Sequence, residues 1–152
     1  MDIETLMQSV RNGDEEGVRC GCKAGLTNTY DHKGWTIALC ATYYKKLRIL
    51  NILFEYGANL NIANKFDGYT SLILACMFCD DTIVKYLLKN GANPSIVNID
   101  GCTAAHYAAI HNNPECLRLV VVDDVLDLRD NKGHTPMDWA NIHGYRKCVD
   151  VL

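Results

Sequence analysis

The 152-residue sequence predicts an all-α chain of repeated helix–turn–helix units, and three observations carry that reading. The first is a glycine followed two residues later by a threonine: Gly34-Trp35-Thr36, Gly68-Tyr69-Thr70, Gly101-Cys102-Thr103 and Gly133-His134-Thr135, spaced by 34, 33 and 32 residues. The second is that each threonine leads into a short apolar-periodic stretch (Ile37–Ala41, Leu72–Ala75, Ala104–Ala109, Pro136–Ala140), with another apolar helix pattern about ten residues later. The third is a shared ending, Gly57-Ala58-Asn59 and Gly91-Ala92-Asn93, which keeps the 34-residue period.

This pattern resembles the ankyrin repeat family, whose period is about 33 and whose signature runs Thr-Pro-Leu-His-x-Ala. Thr36-Ile37-Ala38-Leu39 and Thr70-Ser71-Leu72-Ile73 lack the proline and the histidine, Thr103-Ala104-Ala105-His106 keeps the histidine, and Thr135-Pro136-Met137-Asp138 keeps the proline. The resemblance implies one domain over 1–152: a divergent leading unit 1–30, repeats 31–64, 65–97 and 98–129, and a shortened last repeat 130–152. The implied fold is a solenoid of stacked helix–turn–helix units joined by hairpin loops.

Each element has a physical reason. In the leading unit, Leu6, Val10, Gly13, Val18 and Gly25 fall near the places the repeat expects. The repeated threonines suit a helix N-cap, where the hydroxyl accepts from an orphan N–H of the first turn. Pro136 then occupies the first helical position, where a missing N–H costs nothing, and Asn113-Pro114-Glu115 repeats that logic on a second helix. Asp80-Asp81 gives the preceding second helix an acidic start. Gly25, Gly57 and Gly91 follow second helices, where a left-handed residue closes the C-terminus. Ala41, Ala75, Ala108 and Ala140 share one register position, which lets neighbouring first helices approach closely. The third repeat breaks the rule: Leu119-Val120-Val121-Val122-Asp123-Asp124 has no closing glycine, so a distorted connection is expected there. The chain ends at Val151-Leu152 inside the last second helix, which predicts either a longer protein or a partner covering that end.

Composition narrows the function classes. A net charge of −3, from 15 basic against 18 acidic residues, offers no stripe for a phosphate backbone and no patch for an anionic membrane. The longest apolar run, Leu72–Cys79, is far short of the roughly 20 residues that span a bilayer. The opening Met1-Asp2-Ile3-Glu4 is unlike a secretory signal, so a reducing cytoplasm is the expected compartment, with the nucleus as the alternative. All eight cysteines are then expected to be free, mostly as small core hydrophobes. Cys76-x-x-Cys79 lacks a second ligand pair for zinc and the strand-to-helix setting of a redox motif, and metal and cofactor are expected to be absent. His106 matches the family histidine, which implies a local capping role near Thr103. No phosphate loop or nucleophile elbow is present, which points away from catalysis.

In the family, partner contacts sit on the concave face built from turn tips and first-helix ends. Carried onto this sequence, that face comprises Trp35, Tyr43, Tyr44, Phe66, Tyr69, Met77, Phe78, Ile110 and His111. Exposed aromatics of this kind form the cores of interfaces. The expected function is non-enzymatic binding of a protein partner by a regulator or adaptor that is monomeric unless its uncapped end pairs. The alternatives are the targeting domain of a larger enzyme or effector, and a metal- or redox-dependent regulator built on Cys76 and Cys79. Some family members are hydroxylated on an asparagine after a second helix, and Asn61 falls at that place in an animal-cell setting; a turn asparagine bonding its own backbone is the other reading.

Overall fold

The structure, a computed structural model, describes residues 1–152, the side chain of Asp123 excepted. The regular elements among the described residues are all helices, in two compact units, Met1–Ser71 and Leu72–Leu152.

The first unit holds α1 (Ile3–Asn12), α2 (Glu15–Lys23), α3 (Ile37–Tyr43) and α4 (Leu47–Glu55). Asp2 and Asp14 cap α1 and α2, and Thr36 caps α3 by accepting from the Leu39 N–H. α1 packs on α2 and on α3, while α2 and α3 both pack on α4, so first helices stack on first helices and second on second. Helices of seven to ten residues are unstable alone in water. Their stability comes from the buried Leu6, Met7, Ile37, Leu39, Leu50 and Leu53, each contributing roughly 1.5–3 kcal/mol.

The second unit contains α5 (Ser71–Met77) from its second residue on, α6 (Asp81–Lys89), α7 (Ala104–Ile110), α8 (Pro114–Val120), α9 (Asp123–Leu126), α10 (Pro136–Ile142) and α11 (Arg146–Val149). α7 packs on α10 where Ala108 and Ala140 are both completely buried, and α6, α8 and α11 form the row of second helices. Asp80 and Asn113 cap α6 and α8, with Pro114 in the first turn of α8. α7 and α10 both begin with reciprocal capping boxes, Thr103 with His106 and Thr135 with Asp138.

The glycine-free junction is irregular, as its sequence suggests. α4 and α6 run nine residues and end before a left-handed glycine, Gly57 (φ 78°) or Gly91 (φ 84°). α8 runs seven and leaves through an extended Val121 (ψ 115°), and the single turn of α9 completes the connection. The turns between first and second helices need a left-handed residue as well. Gly13 and Gly144 meet that need without cost, whereas Lys45, Cys79 and Asn112 adopt φ of 54°, 54° and 52°.

His106 ties the third repeat to the last. Its Nδ1 accepts the Thr103 N–H at 3.1 Å, which leaves the proton on Nε2 to donate to the His134 carbonyl at 3.1 Å. Burial pushes the His106 pKa below its ordinary value, so the folded ring is held neutral. The stability this contributes is fully present above the unfolded-chain pKa of about 6.5, and is lost as pH falls from there through the lower folded pKa. Urea unfolding midpoints should therefore drop between about pH 7.5 and about pH 5, and His106→Gln should shrink that drop; an equal drop in both proteins contradicts the assignment.

Candidate functional site

Every repeat turn is built on one buried Asp or Asn. Asp31 Oδ1 accepts the N–H groups of Lys33 (2.9 Å) and Trp35 (2.8 Å). Asn98 does the same for Asp100 and Cys102, and Asp130 for Lys132 and His134. Asn64 bonds Asp67 and Tyr69, one residue further along, because its turn carries an extra residue; this accounts for the 34-residue spacing into the second repeat. These side chains are at most 9% exposed. Burial opposes the charge of Asp130, but bonds from the His134 N–H, the Trp139 indole and the Lys132 N–H outweigh it and lower its pKa.

The residue whose N–H closes the turn is partly exposed at Trp35, Tyr69 and His134 and buried at Cys102. In the first unit, the half-buried Trp35 ring meets Tyr43 edge-on at 5.6 Å and 89°. Tyr43 in turn meets Tyr44 at 5.1 Å and 75°. Tyr43 and Tyr44 are 47% and 43% exposed. Arg11, in the last turn of α1, lies with its guanidinium 6.0 Å from the Tyr44 ring centre. A cleft of about 250 Å³ opens among Arg11, Lys33, Trp35, Tyr43 and Tyr44, with Met7, Asp31 and Cys40 at its walls. Phe66, 60% exposed, lies across Gly34, where a Cβ would stand 3.0 Å from its ring and 2.7 Å from Lys65 Cβ, so this position requires glycine. Tyr69 is half-buried, fixed through Asn64.

In the second unit, Met77 is half-buried and Phe78 is exposed at the end of α5. Ile110 is half-buried beside a second cleft of about 270 Å³, and exposed His111 stacks on Tyr107 at 6.3 Å and 14°. Sequence reasoning missed most of this surface. Trp139 stacks on His143 at 5.7 Å, His143 on Tyr145 at 5.3 Å, and the Lys132 ammonium lies 5.3 Å from the Trp139 ring centre. The available signal was the sixth residue after each turn glycine. It is Cys40 and Leu74 in the earlier repeats, where it reads as core, but Tyr107 and Trp139 in the later ones, and both stay partly exposed. Arg11 was missed because it comes from the leading unit.

Asn61 donates its N–H to Asn59 Oδ1 at 2.9 Å. One grouping of metal-ligand type occurs among the described residues: Glu4, Asp31 and His32 offer atoms within 4.8 Å of one another. Asp31 uses Oδ1 on its turn, and the exposed Glu4 is hydrogen-bonded to His32, which holds the Glu4 carboxyl below its ordinary value, so the turn and this hydrogen bond engage all three. Cys76 is buried in α5 while Cys79 occupies the left-handed turn, its thiol 4.0 Å from the His111 carbonyl.

Turn-and-two-helix units with threonine-capped first helices and side-chain-closed turns define a helical repeat protein. The chain belongs to the ankyrin repeat family: the family model described as ankyrin repeats in three copies matches residues 6–98 and 80–152. It is 36% identical over 124 residues to E3 ubiquitin-protein ligase XBAT33 of Arabidopsis thaliana, covering 79% of this chain and 24% of that one. It is 26% identical over 136 residues to "Probable E3 ubiquitin-protein ligase XBOS32" of Oryza sativa subsp. japonica, covering 68% and 27%. Tyrosine-protein kinase HTK16 of Hydra vulgaris is 32% identical over 97 residues, covering 62% and 13%. The chain thus spans less than a third of the length of the curated relatives it matches. Ankyrin repeats are protein–protein interaction modules, and no helix among the described residues is long and apolar enough to cross a membrane.

The thiols give a direct check of the packing. Cys20 and Cys79 are exposed; the other six are buried and free. Burial pushes the Cys40 and Cys102 thiols to about 11. A thiol-reactive chromophore at neutral pH should titrate two cysteines quickly in the folded protein and the remaining six only on unfolding; a larger fast phase contradicts this arrangement.

Proposed function

We propose that this chain is a non-enzymatic interaction module that docks a partner protein on the aromatic side of its turns and first-helix ends. Trp35, Tyr43, Tyr44, Phe66 and Tyr69 supply the contacts of the first unit, and Met77, Phe78, Ile110 and His111 those of the second. The observation that supports this most is the exposure of Tyr43, Tyr44 and Phe66, large rings held by ring-on-ring contacts and by a turn glycine. Rigid aromatics lose little rotamer freedom on binding and cover a large area, which is why they dominate interface energetics.

A second reading has its own observation: the named relatives are much longer enzymes, matched over a minor part of their length. On that reading the same surface recruits a partner or substrate protein to a catalytic domain elsewhere in a longer chain. The docking chemistry is the same in both.

Affinity capture of partners from native cells, followed by titration with the partner recovered, tests the surface. Trp35→Ala and Tyr44→Ala should each weaken binding by about 2 kcal/mol, the hot-spot scale, with the helical circular dichroism retained. Lys89→Ala and Glu55→Ala, at exposed positions of second helices, should bind as the parent does. Full affinity in both aromatic variants would place the partner on another surface.

A further inference from the structure

We infer that the cleft of the first unit accepts an acidic residue of the partner together with an apolar neighbour, so that the segment docked there is an acidic, apolar-interspersed peptide. This rests on the reading of that face as a protein-docking surface and narrows the chemistry it selects.

Two cations border the cleft, Arg11 and Lys33, and among the described residues neither makes an ion pair. Arg11 Nε is enclosed and has no hydrogen-bond partner among the described residues. A guanidinium is a fork of five N–H donors, and although the Nε is closed to an incoming group, a carboxylate entering the cleft would match the Arg11 donors that line it. The wall opposite is apolar: Tyr44 lies under the guanidinium, and Trp35 and Tyr43 continue the surface. Rings exclude water from an approaching carboxylate and so strengthen its attraction to Arg11.

The acid within the cleft offsets this only in part, because two cations, Arg11 and Lys33, stand against Asp31 alone among the lining residues. Asp31 is nearly closed off, and its Oδ1 is committed to the Lys33 and Trp35 N–H groups. Glu4, which feels the Arg11 charge, is hydrogen-bonded to His32. A cationic segment would meet Arg11 and Lys33 with like charge, and a purely apolar one would leave the Arg11 donors unmet on a drier surface. A carboxylate on a short stem beside a leucine or an aromatic residue satisfies both walls within about 250 Å³.

Selection of random heptapeptides displayed on phage against the full chain, followed by fluorescence anisotropy with the enriched peptides, tests this. Enriched peptides should carry Asp or Glu next to a large apolar residue. Arg11→Ala and the exposed-site change Lys33→Glu should each weaken them by about tenfold or more, and replacing their acids by lysine should abolish binding. Lys33→Glu keeps the test decisive if Arg11→Ala disturbs α1. Peptides without acids that still need Tyr44 would overturn the charge selection while leaving the docking face intact. A selection yielding no peptide sensitive to Arg11, Lys33 or Tyr44 would overturn the cleft as a site, and partner capture by the Trp35→Ala variant reports on the docking face separately.

Discussion

A buried Asp or Asn at the head of each repeat turn is the interaction on which the remaining architecture depends. At positions 31, 64, 98 and 130 one side-chain oxygen takes two backbone N–H groups of its own turn, and the backbone N–H of the same residue reaches across to the carbonyl of the turn-closing residue. A turn this tight leaves its amides no helical or strand partner, and buried amides must be paired. The side chain supplies the pairing and thereby fixes where the following helix starts. The turn-closing residue, Trp35, Tyr69, Cys102 or His134, is held by the same bond, so at Trp35, Tyr69 and His134, which stay partly exposed, closure of the turn also positions a surface residue, while Cys102 turns into the core.

From that turn the rest follows by stacking. Within each unit a turn also bonds the next one: the Lys65 N–H to the Gly34 carbonyl, and the Asn131 N–H to the Asp100 carbonyl, both at 2.9 Å. The approach is close enough that Gly34 and Gly101, both at positive φ, have no room for a Cβ. First helices of seven residues then need only a threonine cap and an apolar neighbour to persist. Where the pattern is short of a glycine, after Val120, the chain inserts α9 and keeps Val125 fully buried, so the anchoring contact survives an irregular path.

Most of the helical framework could be read from the residues, because period, capping and glycine placement are local rules. Thr36, Thr103 and Thr135 are caps, Pro114 and Pro136 open helices, and Gly57 and Gly91 close them. The turn Asp and Asn residues escaped notice because the extra residue in the second turn breaks their offset from the glycine. The left-handed Lys45, Cys79 and Asn112 were equally hidden, since nothing local marks a side chain that pays for that conformation. For the candidate site, the repeat register groups Trp35, Tyr43 and Tyr44, but their mutual ring geometry and the Arg11 contact are products of packing between α1 and α3. The Trp139–His143–Tyr145 column was missed because a helix-centre position was read as core, and the large rings there do not fit inside.

Asp31 isolates the central interaction, because among the described residues its side-chain hydrogen bonds are those to the Lys33 and Trp35 N–H groups. The decisive measurement is urea unfolding of Asp31→Asn and Asp31→Ala, with near-ultraviolet circular dichroism reporting on the rings around Trp35. Asp31→Asn keeps the accepting oxygen and should stay close to the parent in both signals. Asp31→Ala leaves two amides without their partner and should lose about 2 kcal/mol or more, with the aromatic signal reduced. An alanine variant as stable as the asparagine one, with its ring signal intact, would contradict the claim that this side chain builds the turn and presents the surface.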